Sequence, residues 1–296
     1  MSVDLDKYFA RIGWDGGRAP TLDTLRSLQH AHVLGIPFEN IDVVVGTVPS
    51  LDLTDLEAKL VAGSRGGYCF EQNTLFADVL EQLGYGVTRY TGRVRVGARP
   101  GEIRPRTHLV LGVEVPGGGE GPGGGEVPGG GEGPGTAGGG RYLVDGRYLV
   151  DVGFGSTDAL LEPLPMIPGL VREGRGRRHR LVLEEADGPA PVWVLQAARP
   201  GDTWIELVSF TLDVAPLPDI GVANWHVSTH PRSPFRRLFV QRTHADGHVA
   251  LDGSTLTRTA RDGTVTVERV DGPEALRELL ESEFGITPPP GVRPER

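Results

Sequence analysis

Apolar residues recur at helical spacing through the first 84 residues of the chain. Three sets occur: Leu22, Leu25, Leu28 and Val33, then Leu56, Leu60 and Val61, then Leu75, Phe76, Val79, Leu80 and Leu83. Such spacing places the apolar side chains on one face of a helix, and Gly84 after the third set is a typical helix stop. Residues 1–84 are therefore predicted to form a helical domain.

After Gly84 the pattern changes to short runs of β-branched and other apolar residues. These strand-like runs cover residues 87–96, 107–115, 148–152, 181–183 and 192–195. They predict a β domain over residues 85–203. Mixed signals follow over residues 204–296, with a helical pattern at 273–284, so a third segment of α/β type is predicted there.

A glycine-rich tract at residues 116–140 interrupts the β domain. It contains 15 glycines, 4 prolines and 3 glutamates, and Pro-Gly-Gly-Gly-Glu recurs at positions 116, 122 and 128. Its period of six excludes a collagen helix, which needs glycine at every third position. Because a tract with so few apolar side chains cannot form a core, we predict a solvated, flexible insertion without chemistry of its own.

The charge and cysteine content narrow the range of partners. Among 296 residues, 30 are Lys or Arg and 39 are Asp or Glu, which gives a formal net charge of -9. An acidic chain is a poor partner for nucleic acid or for an anionic membrane. The one cysteine excludes an intramolecular disulfide, and neither a long apolar run nor a signal-peptide pattern is present, so we predict a cytoplasmic location.

Cys69 is the strongest candidate for chemistry. It lies in the run from Arg65 to Asn73, Arg-Gly-Gly-Tyr-Cys-Phe-Glu-Gln-Asn, where a loop is predicted to become a helix. A free cysteine is most often a small buried hydrophobe. Here the glycine turn and the polar neighbours favour a nucleophile, because a helix N-terminus and a nearby imidazolium can lower the pKa of a thiol well below about 8.5.

His108 and Asp151 are the candidates for the base and for the group that orients it. If residues 108–115 pair as a hairpin with residues 144–151, His108 faces Asp151 whatever the loop between them does. Asp145 competes for the same role, because Arg-Tyr-Leu-Val-Asp occurs twice, ending at Asp145 and at Asp151. We favour Asp151 because pairing Asp145 with His108 needs a six-residue slip.

The histidines and the arginines are two further groups of residues that could bind a ligand. The eight histidines and one cysteine are too scattered along the chain for a zinc site, so no metal is expected. Arginines cluster at positions 172, 175, 177, 178 and 180, and again at 236, 237 and 242. A solvated face is the simpler interpretation of these clusters, and a site for the phosphates of a nucleotide-type cofactor is the functional one.

Several motifs together resemble the arylamine N-acetyltransferases over nearly the whole chain. They are Ile36-Pro37-Phe38-Glu39-Asn40, the segment from Arg65 to Asn73, Thr107-His108, Asp151-Val152-Gly153-Phe154-Gly155, Asn224-Trp225, and residues 228–235. The resemblance implies an α+β, cysteine-protease-like fold made of an N-terminal helical bundle, a central β-barrel and a C-terminal α/β lid. It also implies a catalytic triad of Cys69, His108 and Asp151.

The same resemblance implies ping-pong acyl transfer. Acetyl-coenzyme A would acetylate Cys69, coenzyme A would leave, and an arylamine or hydrazine would take the acetyl group. The residues carried over for binding are Phe38 and Phe70 near the substrate pocket, and Gly153, Phe154, Gly155 and Thr229 near coenzyme A.

Three alternatives stay open from the sequence. An amide synthase of the same fold would take a polyketide acyl chain from an acyl carrier protein onto an aromatic amine, and the triad does not separate it from an acetyltransferase. A cysteine peptidase or a transglutaminase has Cys and His in the same order, but Arg-Gly-Gly before Cys69 speaks against both. A protein that only binds a partner on this scaffold would be expected to lack a member of the triad, whereas Cys69, His108 and Asp151 are all present.

Overall fold

A computed structural model describes residues 2–99, 101–117, 146–184, 190–199 and 201–293. The predicted flexible insertion, apart from residues 116 and 117, and the competing Asp145 lie outside these residues. Within them, no helix is both long enough and apolar enough to cross a membrane.

Helices dominate the first part of the chain, as predicted. The α-helices in the described residues are α1 (Leu5–Ile12), α2 (Leu22–Gly35), α3 (Ile41–Val44), α4 (Leu53–Leu56), α5 (Cys69–Gln82), α6 (Leu217–Thr229) and α7 (Pro273–Ser282). A π-helical turn (Glu57–Ala62) follows α4, and a 3-10 turn (Pro234–Arg236) follows α6.

The strands form two antiparallel sheets. They are β1 (Phe38–Glu39), β2 (Gly86–Val94), β3 (His108–Glu114), β4 (Arg147–Val150), β5 (Leu164–Pro165), β6 (Arg172–Gly174), β7 (Arg177–Glu184), β8 (Val192–Arg199), β9 (Thr203–Phe210), β10 (Phe239–His244), β11 (Gly247–Asp252), β12 (Thr255–Ala260) and β13 (Val265–Arg269). The larger sheet is barrel-like, with the order β5-β4-β3-β2-β9-β8-β7-β6, and the smaller has the order β1-β10-β11-β12-β13.

The elements confirm the predicted α+β fold class, with helices first, a barrel-like sheet in the middle and a second sheet with helices at the end. The division into three domains stays a prediction. Strand β9 belongs to the larger sheet although most of it lies beyond residue 203, so this sheet favours a boundary after Phe210 over one between residues 203 and 204.

Helix α5 is the central helix of the N-terminal core. Leu75, Phe76 and Val79 on this helix are fully buried and share one cluster with Leu111 and Val113 of β3. Burying a side chain of this size contributes about 1.5–3 kcal/mol relative to leaving it exposed. The apolar packing thus fixes α5 against β3, and with it the start of α5 against the start of β3.

The predicted register of β3 with β4 is wrong by two residues. Leu111 pairs with Val150 and Glu114 with Arg147, so His108 would lie opposite Gly153 if the strands continued. Strand β4 ends at Val150 because the next residues leave the sheet and bind α5: the Val152 backbone N–H donates to Asn73 Oδ1 at 3.1 Å. A shift of two residues keeps each side chain on its original face.

Candidate active site

Cys69 is the first residue of α5, at the N-terminal end where the sequence predicted it. Tyr68 is the N-cap residue with extended backbone, and its N–H donates to Glu71 Oε2 at 3.1 Å. The first N–H groups of a helix have no acceptor within the helix, so they offer a positive site to an anion. Cys69 is 2% exposed, and its Sγ lies 3.7 Å from the carbonyl oxygen of Thr107.

The loop before Cys69 is tied to the segment that contains Phe38. The Gly67 N–H donates to the Pro37 carbonyl oxygen at 3.3 Å, and the Glu39 N–H donates to the Gly67 carbonyl oxygen at 3.1 Å. The side-chain amide of Gln72 also donates to the Gly67 carbonyl oxygen, at 2.6 Å. These bonds fix the backbone that leads into the thiol.

His108 and Asp151 form a buried pair beside the thiol. His108 Nε2 lies 2.6 Å from Asp151 Oδ2, and both residues are buried. Burial favours the neutral imidazole, but the charge of Asp151 and a hydrogen-bonded Cys69 outweigh it and raise the pKa of His108 to about 10. Because Asp151 occupies Nε2, Nδ1 is the ring nitrogen that is free to bond Cys69.

Asn73 holds the carboxylate of the pair in place. Its Nδ2 donates to Asp151 Oδ1 at 2.9 Å and to the Leu109 carbonyl oxygen at 2.8 Å. The Gly153 N–H donates to the same Asp151 oxygen at 2.9 Å. Sequence reasoning gave Asn73 no role in holding Asp151, although its position four residues after Cys69 on one helix indicates that both share a face.

The Gly153-Phe154-Gly155 segment packs directly on the nucleophile. A Cβ on Gly153 would lie 2.6 Å from the Cys69 Cα, so only glycine fits there. Gly155 has a φ of +57° and faces the Phe38 ring without room for a side chain. The Phe154 ring meets His108 edge to face, with ring centroids 5.3 Å apart. All three residues thus lie close to Cys69, His108 or Asp151.

The other residues carried over for binding have different surroundings. Phe38 is buried against Phe235 and Phe239 and borders a small cavity of ≈ 20 Å³ that Asp151 also lines. Phe70 is fully buried in the same cluster as Cys69. Thr229 ends α6, and its hydroxyl donates to the Trp225 carbonyl oxygen at 2.6 Å rather than to a residue of the triad.

A buried cluster of ion pairs holds the loop that precedes Cys69. Lys59 Nζ lies 2.6 Å from both Glu71 Oε1 and Asp42 Oδ2. Arg65 lies 2.7 Å from both Glu39 Oε1 and Asp42 Oδ1. Although burial lowers the pKa of Lys59 and of Arg65, the carboxylates raise both pKa values overall. Arg65 and Glu71 belong to the motif around Cys69, whereas no motif marks Lys59.

The chemistry that this arrangement can support is nucleophilic. A thiol at a helix start, an imidazole with a raised pKa and an oriented carboxylate are the parts of a cysteine nucleophile with its general acid–base partner. No group of three or more His, Cys, Asp or Glu residues suited to a metal ion occurs in the described part of the chain.

The chain matches a family model described as N-acetyltransferase over residues 21–119 and 142–289. Proteins named arylamine N-acetyltransferase are similar to it over most of its length. That of Mycobacterium bovis is 37% identical over 290 residues, 97% of this chain and 90% of the relative. That of Escherichia coli is 32% identical over 288 residues, again 97% of this chain and 90% of the relative.

Solved structures agree with the sequence comparison. The Nocardia farcinica arylamine N-acetyltransferase has a TM-score of 0.81 and 39% identity, covering 97% of this chain and 90% of that chain. The Mycobacterium marinum enzyme, solved in complex with CoA, has a TM-score of 0.80 and 34% identity, covering 96% and 93%. The chain is therefore an acyltransferase that belongs to the arylamine N-acetyltransferase family.

Proposed function

We propose that this protein transfers an acetyl group from acetyl-coenzyme A to an arylamine or hydrazine through an acetyl-Cys69 intermediate. The observation that supports this most directly is the buried His108–Asp151 pair, 2.6 Å between Nε2 and Oδ2, next to a thiol at the start of a helix. The names of the relatives support the amine as acceptor, and the M. marinum complex supports coenzyme A as the carrier of the acetyl group.

The first half of the reaction acetylates the enzyme. His108 takes the proton of the Cys69 thiol, and the thiolate so formed attacks the thioester carbonyl carbon of acetyl-coenzyme A. The N–H groups at the start of α5 stabilise the negative oxygen that forms. The bond from carbon to the sulfur of coenzyme A then breaks, and that sulfur takes the proton from His108.

The second half regenerates the enzyme. The amine nitrogen attacks the carbonyl carbon of acetyl-Cys69, and the neutral His108 accepts the proton that the nitrogen loses. Asp151 stabilises the imidazolium that forms, and the carbon–sulfur bond breaks to release the amide and the Cys69 thiolate. No proton or electron pair is left over at the end of the cycle.

The remaining roles follow from position. We assign Gly153, Phe154 and Gly155 to the side of the site that meets coenzyme A, together with Thr229, and Phe38 and Phe70 to the side that meets the amine. Phe38 borders the cavity beside Asp151. Phe70 is fully buried, so it would shape this side without contacting the amine. A single reduced thiol suits a cytoplasmic location.

Intact-protein mass spectrometry tests the proposal. The protein is mixed with acetyl-coenzyme A alone, beside the Cys69→Ser variant, and an arylamine or hydrazine is then added. We expect one acetyl group on the natural protein, none on the variant, and loss of the group after the amine is added. A folded natural protein that gains no acetyl group would contradict the proposal, and an acyl carrier protein as donor would then test the amide synthase alternative.

A further inference from the structure

An open groove of ≈ 660 Å³ lies where α2, the larger sheet and the smaller sheet meet. We call it the arginine groove, and its lining includes His30, Asp158, Arg177, Arg199, His244 and Arg261. Neither Cys69 nor His108 lines it. It shares Thr243 and His248 with the small cavity beside Asp151. The groove therefore adjoins the candidate active site without being part of it.

The lining of the groove is rich in arginine although the chain has a net charge of -9. Its lining contains five arginines, at positions 175, 177, 178, 199 and 261, against Asp158 as the acidic residue. Asp158 is already taken, because its Oδ2 lies 2.9 Å from Arg199. Arg175 and Arg178 pair with Glu162 and Asp202, at 3.0 and 2.8 Å. Two of the five guanidinium groups therefore remain for a ligand.

Arg177 and Arg261 are these two. Arg177 is half-buried at the start of β7 and donates to the Ala159 carbonyl oxygen at 2.7 Å. Neither arginine has an ion pair with a carboxylate in the part of the chain that the structure describes. Burial lowers the pKa of Arg177 to about 10. The charge of Asp158 offsets only part of this effect of burial, so an anion in the groove would further stabilise the Arg177 guanidinium.

Four histidines line the same space, at positions 30, 179, 244 and 248. His30 lies on α2 and His244 near the turn between β10 and β11, and both are half-buried. Burial, followed by the charges of Arg175 and Arg177, lowers the pKa of His30 to about 4. Burial and the neighbouring guanidinium groups thus disfavour one more positive charge here, and an anion would stabilise this environment.

We propose that the arginine groove binds the phosphate groups of a small organic anion, of about nucleotide size, at a site separate from Cys69. Guanidinium groups bind phosphate through paired N–H donors, which makes arginine the preferred residue for this task. Ligand sites of this size commonly have volumes of about 300–1,000 Å³. The concave shape and the limited charge favour a small phosphorylated molecule over nucleic acid, and the proposal does not depend on the acetyl transfer.

Isothermal titration calorimetry tests the proposal with inorganic pyrophosphate and magnesium-free ATP as probes, at constant ionic strength. The variants are Arg177→Gln, Arg261→Gln and, as a control, Arg277→Gln. Arg277 lies exposed on α7, outside the groove, so its replacement removes the same charge elsewhere. We expect one saturable site, weakened about tenfold by Arg177→Gln and a few-fold by Arg261→Gln, and unchanged by Arg277→Gln.

No saturable binding, or equal weakening by Arg277→Gln, would overturn the proposal. If Arg177→Gln does not fold, the exposed Arg261→Gln decides in the same way. A second titration with saturating coenzyme A separates the two possible sources of phosphate. Binding that persists supports a separate site, whereas competition, together with a raised KM for acetyl-coenzyme A in Arg177→Gln, would assign the groove to the donor and overturn the separate site.

Discussion

A single methyl group on Gly153 tests how closely the loop after β4 must approach the nucleophile. In Gly153→Ala, the new Cβ would lie 2.6 Å from the Cys69 Cα and 3.1 Å from Asn73 Nδ2. Carbon atoms in contact are normally about 3.5–4.0 Å apart. The helix start and the loop must therefore separate by about 1 Å before the methyl group fits.

That displacement acts on the orientation of Asp151. The Gly153 N–H donates to Asp151 Oδ1 at 2.9 Å, so the residue that moves is one of those that hold the carboxylate. A misplacement of about 1 Å in a catalytic arrangement commonly costs about a hundredfold in rate. Overpacking of this kind lowers the free energy of unfolding by about 1–3 kcal/mol. We expect a folded variant that acetylates Cys69 about a hundredfold more slowly.

The assay is the single-turnover rate of acetyl incorporation, measured by mass spectrometry, with the melting temperature measured in parallel. Gly17→Ala is the matched control, because a Cβ there meets nothing within 4 Å, and we expect its acetylation rate to equal that of the natural protein. A Gly153→Ala rate within threefold of the natural protein would refute the reasoning, since the close approach would then have no functional consequence.

Two further predictions concern protonation. In Asp151→Asn the pKa of His108 should fall well below about 10, because burial remains and the carboxylate is gone. Alkylation of Cys69 by iodoacetamide at pH 7 should slow at least tenfold, and an unchanged pH profile of alkylation would contradict this. His32 is buried between Tyr8 and Gln72, and burial lowers its pKa to about 3. The unfolded chain therefore binds a proton that the folded chain does not as the pH falls below about 6.5, and the unfolding free energy should drop by up to about 1.4 kcal/mol per pH unit. Denaturant unfolding at pH 7 and pH 5 should show a smaller drop for His32→Gln, and an equal drop in both proteins would count against this role.

Local patterns predicted the parts of the site that depend on local structure. Helical spacing placed Cys69 at the beginning of a helix, and the structure begins α5 at that residue. The glycines beside the site were recognisable as turn residues. What each glycine packs against was not, because the approach of Gly153 to Cys69 joins segments 84 residues apart in sequence. The role of Asn73 was missed for the same reason, because Asp151 lies 78 residues from it in sequence.

The register of β3 and β4 shows where sequence reasoning stops. Hairpin register is set by the turn and by the packing at the strand ends. The connecting tract is rich in glycine, so it carries no signal for a particular turn. The predicted register, in which residues 108–115 pair with residues 144–151, requires β4 to continue to Asp151. In the structure it ends at Val150, because the N–H groups of Val152 and Gly153 are needed by Asn73 and by Asp151 itself.

The pairing of His108 with Asp151 nevertheless withstands this error, for a reason that lies in strand geometry. An error of one residue would have turned the imidazole to the opposite face, whereas an error of two leaves it on the same face and moves its partner by one diagonal step. Asp151 still reaches His108 because it lies just past the end of β4. There, hydrogen bonds from Asn73 and from the Gly153 N–H direct its carboxylate towards the imidazole. The alternation of side chains along β3 thus determines the face of the sheet on which His108 lies. Asn73 on α5 determines the position of the Asp151 carboxylate. Neither depends on the length of the loop between the two strands, so the arrangement of Cys69, His108 and Asp151 is compatible with a long glycine-rich tract at residues 116–140.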